Sequence, residues 1–167
     1  MNWSNEPETS LVIEPSPDGP RNSEGSIVEL DDGRLLVPAT MHSCEDGTRD
    51  TWSGRAGATC YYSDDEGDTW HRAADILAIP DRIDTGTGLQ EPGVVELEDG
   101  RVYMWARTDL GMQYEAISED GGETWSRVRP SPLCSPLSPA SIKRLPGTGD
   151  LLAVWNDHSG QHPFPFL

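Results

Sequence analysis

The side chains best equipped for chemistry in this sequence are carboxylates and guanidinium groups, and they gather between apolar runs rather than within them. Residues 41–57 hold Asp46, Arg49, Asp50 and Arg55, with Trp52 among them. An aspartic acid works as a general acid near neutral pH only if desolvation or a neighbouring carboxylate raises its pKa. Otherwise it is a solvated loop charge. Further candidates are Arg21, Glu24, Glu91, Arg107, which shares a short loop with Asp109, and Asn156 and Asp157. Arg55 and Arg107 carry the planar fork that grips a carboxylate through two bonds, or they simply pair with surplus acids. Glu24 and Glu91 either meet a ligand or bond strand ends. His158 and His162 could share a metal only on a helix, and Pro163 opposes one. No metal site and no cofactor is expected.

The elements that must position these groups are repeated. Residues 26–37, SIVELDDGRLLV, match residues 93–104, GVVELEDGRVYM, position by position. A looser third copy covers residues 141–155. Each copy is a short apolar strand, a Gly-containing turn and a second strand, the signature of a β-hairpin. Between the copies, Ser63, Asp65, Gly67, Thr69 and Trp70 spell S-x-D-x-G-x-T-W, and Ser118, Asp120, Gly122, Thr124 and Trp125 spell it again. Five fixed positions recur by chance on the order of once per million starting points.

The turn motif is self-capping. Asp65 and Asp120 can accept backbone N–H bonds within their own turns, while Gly67 and Gly122 can take a positive φ. Ser63, Thr69 and their counterparts add hydroxyls, and Trp70 and Trp125 can bury their rings between sheets. Strands over 58–63 and 113–118 should enter these turns, and strands over 70–76 and 125–129 should leave them. Four antiparallel strands per repeat make a blade of a β-propeller. The expected fold is therefore all-β, with about two and a half blades. A polar segment, 1–22, precedes a partial propeller over 23–167, with blades at 23–76, 91–130 and an incomplete 139–157.

Strand parity sorts the loops. Turns between first and second strands share one face of the disc with the S-x-D-x-G-x-T-W turns. The other connections share the opposite face, and every candidate named above lies there.

Composition narrows the partners. The chain carries 29 acidic against 12 basic residues, a formal charge of -17. Such a field repels nucleic acid and anionic membrane, so neither is an expected partner. Lys143 is the single lysine, a pattern that suits either a halophilic source or a GC-rich genome. Cys44, Cys60 and Cys134 form neither a disulfide framework nor a zinc site. The opening residues lack the basic and apolar regions of a signal peptide. A soluble chain, cytoplasmic by default, is the expectation.

The two turns, which have the form of Asp boxes, and the blade pattern over about residues 21–157 resemble the sialidase, or neuraminidase, superfamily of BNR-repeat proteins. The resemblance implies a six-bladed propeller acting on terminal sialic acids, with an aspartate acid/base, a tyrosine nucleophile assisted by a glutamate, and three arginines holding the substrate carboxylate. It assigns the acid/base to the loop over 41–57, making Asp50 the first choice and Asp46 the second. Arg21, Glu24, Arg55, Glu91, Arg107, Asn156 and Asp157 become candidates for binding a glycan with an acidic terminal sugar, and Trp52 for stacking on a sugar ring. The family's Arg-Ile-Pro segment is missing, and its arginine aligns with Ser23, two residues after Arg21. The nucleophile and remaining arginines belong to later blades in that family, so a fragment without activity of its own is expected. The rival expectations are another glycan-active propeller, hydrolase or lyase, and a propeller that binds glycan or protein without catalysis. Open blade edges also make self-association an expectation.

Overall fold

The computed structural model describes residues 12–14, 21–23, 26–42 and 55–159, and these form eleven strands and no helix. The first sheet contains β1 (Arg21–Ser23), β2 (Val28–Glu29), β3 (Leu35–His42), β4 (Gly57–Ser63) and β5 (His71–Arg72). β1 and β2 both pair with β3, at Ser23 opposite Thr40 and Val28 opposite Leu36, so they are two pieces of one first strand. The second sheet runs in order β6 (Gln90–Glu96), β7 (Val102–Arg107), β8 (Met112–Ser118) and β9 (Arg129–Cys134). β10 (Ser141–Arg144) and β11 (Leu151–Val154) form a third, two-stranded sheet. All pairings between these strands are antiparallel. These are successive blades of a β-propeller.

The repeated hairpins fold as repeats. The Leu30 amide donates to the Arg34 carbonyl at 2.8 Å, and the Leu97 amide donates to the Arg101 carbonyl at 2.7 Å. Gly33 and Gly100 sit at φ 91° and 81°, where a side chain would be strained. The third hairpin closes through Leu145 and Asp150 at 2.8 Å.

The fourth strands differ from the expected ranges. β5 covers two residues, and β9 begins only at Arg129, where 70–76 and 125–129 were expected. The Asp75 carbonyl accepts from the Thr59 hydroxyl at 2.8 Å, and the Asp75 carboxylate accepts from the Trp125 amide at 2.8 Å. The first bond stays within the blade and the second crosses to the next, while the chain after β5 keeps to β4 through the Ala73 amide on the Cys60 carbonyl at 2.8 Å and a bridge between Ala58 and Leu77. Pro130 and Pro132 are accommodated in β9 because it is an outermost strand, where a missing amide costs little.

Strands between blades are buried on both faces, and β4 has six of its seven residues buried. Met112, Tyr114 and Ala116 of β8 join Leu36, Ala58 and Cys60 of the first sheet in the main core. Burial pushes the Cys60 thiol up to about 12, so it is an inert apolar group. A smaller core of Val95, Trp105 and Ile142 joins the second sheet to the third. β6 lies against both β3 and β10, so it joins the first sheet to the third.

Candidate functional site

The Asp-box side of the molecule is a clamp. Asp65 takes the Thr69 hydroxyl at 2.6 Å and its amide at 2.8 Å, while the Ser63 hydroxyl donates to it at 2.8 Å. The Thr69 hydroxyl leads these bonds in holding Asp65 down to about 2. Asp120 repeats the arrangement with Thr124 at 2.5 and 2.9 Å and Ser118 at 2.7 Å. Burial works to raise the Asp120 pKa, yet the bonds from Thr124, Ser118 and Glu123 together hold it below the usual carboxylate range. Each indole N–H closes its turn, Trp70 on the Gly67 carbonyl at 3.0 Å and Trp125 on Gly122 at 3.1 Å. Trp125 is buried as expected, but Trp70 is only half-buried. Trp125 sits in the main core between the two sheets, and Trp70 does not.

Arg34 fastens this clamp across blades. Its guanidinium bridges Asp64 at 2.6 Å and Glu123 at 2.9 Å, and its face covers the Tyr62 ring at 4.6 Å. All of these carboxylates are spent on structure, so the chemistry must lie elsewhere.

On the opposite face, β3 ends, β6 begins and β7 ends within reach of one another. Glu91 occupies an irregularity between Gln90 and Gly93 with φ 49°. It precedes Pro92, a setting that favours extended backbone, so this conformation stores strain. Its amide donates to the Thr40 hydroxyl of the first sheet at 2.9 Å. Its carboxylate meets Arg107 Nη1 at 3.0 Å, and Arg107 Nη2 donates to Gln90 Oε1 at 2.7 Å. Glu91 Oε2 and Arg107 Nε are buried and have no hydrogen-bond partner among the described residues. A guanidinium and a carboxylate are thus held side by side, each with one polar atom still to be satisfied.

Around this pair the loops are locked. Asp109 accepts from the Thr85 hydroxyl and, at 2.7 Å, from the Gly86 amide, so it caps the loop leading into β6. Burial works against it, and those bonds still hold its pKa below the ordinary range. Gly88 pairs in parallel with Ala56, and a Cβ there would stand 2.2 Å from the Ala56 carbonyl oxygen. Only glycine fits that crossing, which ties the loop before β6 to the entry of β4.

The other candidates fall as follows. The Arg21 backbone pairs with His42, at the same end of the first sheet as Thr40. Arg55 stands before β4 and reaches Asp81 at 3.5 Å. Asn156 and Asp157 are exposed, and Asp157 Oδ1 accepts from the Ser159 amide at 2.9 Å, which helps hold its pKa low. Glu24, Asp46, Asp50 and Trp52 lie outside the described residues. The structure therefore joins Glu91 to Arg107 and adds Thr40 and Gln90. Gln90 adjoins Glu91 in sequence, whereas nothing local marks Thr40.

Among the described residues, no group of three or more His, Cys, Asp or Glu is placed to hold a metal ion. Among the described residues no helix is long and apolar enough to cross a membrane.

Comparisons with known proteins agree with the repeated blades and their fold. The profile of the BNR repeat-like domain family matches residues 6–163. The chain is 39% identical over 95 residues to the anhydrosialidase of Macrobdella decora, a match covering 56% of this chain and 10% of that protein. It is 37% identical over 115 residues to the sialidase of Micromonospora viridifaciens, covering 67% and 15%. In fold it is similar to the alpha-L-arabinofuranosidase of Fusarium graminearum, with a TM-score of 0.57 at 20% identity, over 80% of this chain and 41% of that one. The chain thus spans a small part of each curated relative. With repeats, turns and profile in agreement over nearly its whole length, the chain belongs to the BNR repeat-like family of the sialidase superfamily.

Proposed function

We propose that this chain provides the glycan-recognition part of an exo-acting, sialidase-type glycoside hydrolase whose substrate ends in sialic acid or a related acidic sugar. The observation that carries the reading is the Glu91–Arg107 pair on the face opposite the Asp boxes. The Arg107 side chain is 23% exposed, so an incoming carboxylate can approach its guanidinium beside Glu91, and its enclosed Nε is not committed to another partner among the described residues. The Glu91 carboxylate, whose side chain is 25% exposed, is a matching acceptor for a sugar hydroxyl. The sialidase names of the two relatives point to the same substrate class. Asp109 does not serve as the acid, because its carboxylate is committed to the loop before β6. Asp50, with Asp46 behind it, remains the proposed acid/base. This chain binds the sugar and, alone, does not release it.

Calorimetric titration with N-acetylneuraminic acid tests the reading, with galactose as the neutral control. Arg107→Ala should weaken the acidic sugar by about tenfold or more, since a charge-assisted bond is worth about 1.5–3 kcal/mol. Equal affinity for both sugars, or no effect of Arg107→Ala, would reject it. Release of fluorophore from a sialoside by the 167-residue chain would reject the division between recognition and hydrolysis.

A further inference from the structure

Arg34 divides its guanidinium between two blades. Nε and Nη2 hold Asp64 of its own blade at 2.6 and 3.0 Å. Nη1 crosses to the second blade, where it donates to Glu123 at 2.9 Å and to the Asp120 and Gly121 carbonyls at 3.3 Å. The Asp-box turn of the second blade is thus a plug, and the arginine of the first blade is its socket.

The repeat contains each part twice. Arg101 occupies the position of Arg34, and Asp68 that of Glu123. Arg101 holds Asp99 through Nε and Nη2, both at 2.8 Å, and its Nη1 has no partner among the described residues. It borders a cavity of about 490 Å³ whose lining includes Arg127, Arg129, Ser126 and Glu119. Arg129 is paired with Glu115, whereas Arg127 has no ion-pair partner among the described residues. Arg34, already paired with Asp64, still takes Glu123, so one bound carboxylate does not exhaust such a site.

The first Asp-box turn is a matching plug. Asp64 is held by Arg34 and Asp65 by Thr69, but Glu66 and Asp68 are exposed and make no ion pair among the described residues. Glu66 stands at φ 58° where the second turn has Gly121, whose Cβ would lie 3.1 Å from Arg34 Nη1. A flexible guanidinium can give way by that little. The two unused parts face apart. The second turn reaches back to the blade before it, so the first turn, built alike, points away from the second blade, while Arg101 lies on the side of the third.

We propose that the turn at 63–70 of one chain docks on Arg101 of a second copy, so that copies associate head to tail. The contact is heterologous, so it extends into short chains or closes as a ring. β10 and β11 cover only the inner strands of this face, through Ile142, and the second copy enters the cavity from the rim, turn first. A contact made by one turn is small, so the association is weak.

Sedimentation velocity on the whole chain tests the proposal, in about 0.15 M salt, where repulsion between two bodies of charge -17 is screened beyond about 8 Å. The sedimentation coefficient should rise as the chain is concentrated from the micromolar to the millimolar range. Arg101→Ala removes the socket, and Glu66→Gln combined with Asp68→Asn removes the plug. Each change should weaken association about tenfold or more, as loss of a charge-assisted bond does. All three side chains are exposed, so both variants should melt like the parent, and the plug variant carries the test alone if Arg101→Ala unfolds. Mixed in equal amounts, the two variants should form dimers and nothing larger, because each keeps the part that the other lacks. A parent chain that stays monomeric at every concentration would overturn the proposal, as would a mixture that stays monomeric. Variants that associate like the parent would overturn it too, and would assign the contact to the edge of β11.

Discussion

The amide of Glu91 in the second blade donates to the hydroxyl of Thr40 in the first, 2.9 Å away. Thr40 is completely buried, so water cannot replace it as acceptor. This one bond holds a left-handed, pre-proline glutamate in place and registers the ends of two blades against each other. The carboxylate that faces Arg107 is therefore positioned by a residue on another sheet.

Thr40→Val keeps the shape and removes the acceptor. Leaving the Glu91 amide unsatisfied should cost about 1–3 kcal/mol. It should also weaken N-acetylneuraminic acid, although Thr40 is not placed against the ligand. Urea unfolding and titration on the same sample check both. Unchanged stability would show that the bond is not made in solution.

Glu91→Gly separates strain from recognition. Glycine adopts φ 49° freely, and relieving a strained residue returns about 1–3 kcal/mol. Loss of the Arg107 pair works the other way, leaving stability within about 1 kcal/mol of the parent or above it. Acidic-sugar binding should fall about tenfold or more. A clearly destabilised variant with normal binding would make Glu91 a structural residue only.

The two Asp-box tryptophans should respond unequally. Trp125→Ala should cost about 3–5 kcal/mol, the usual penalty for emptying a core site. Trp70→Ala should cost distinctly less, since Trp70 is half-buried and outside the main core. Denaturant midpoints for the two variants decide the matter, and equal losses would contradict the burial difference.

Acid should weaken the clamp in a defined window. Asp65 has a pKa of about 2 in the folded chain, against roughly 3.9 when unfolded. A depressed carboxylate adds stability above the unfolded value and loses it as pH falls through the folded one. Asp120 is depressed in the same direction. Stability should therefore decline from about pH 4 toward pH 2, and Asp65→Asn should flatten part of that decline. An Asp65→Asn profile parallel to the wild type would argue against the Thr69 and Ser63 bonds.

The clamp was legible in the sequence because every bond of an Asp box is local: Ser63, Asp65, Gly67 and Thr69 satisfy one another within a single turn. The hairpins were legible for the same reason, through Gly33 and Gly100. The first blade's fourth strand came out shorter than expected and the second's began later, and the bond from the Trp125 amide to Asp75 leaves no mark near residue 75. Of the candidate site, Glu91 and Arg107 followed from strand parity. Thr40 did not, because a threonine inside a β-strand reads as an ordinary β-branched residue. The positive φ of Glu91 was hidden as well, since a glutamate before proline suggests an extended chain. The role of Asp109 was not legible, because its loop partners, Thr85 and Gly86, lie far from it in sequence.

The central claim is that Arg107 receives the carboxylate of an acidic sugar, and its own Nε–H signal reports on that most directly. In a ¹H–¹⁵N spectrum the Arg107 Nε–H should shift saturably as N-acetylneuraminic acid is added, together with the Glu91 amide. The Arg34 Nε–H, already bonded to Asp64 at 2.6 Å, should stay still. Galactose should leave the Arg107 signal where it was. An Arg107 Nε–H that does not move while N-acetylneuraminic acid binds elsewhere, or that moves equally for galactose, would contradict the account.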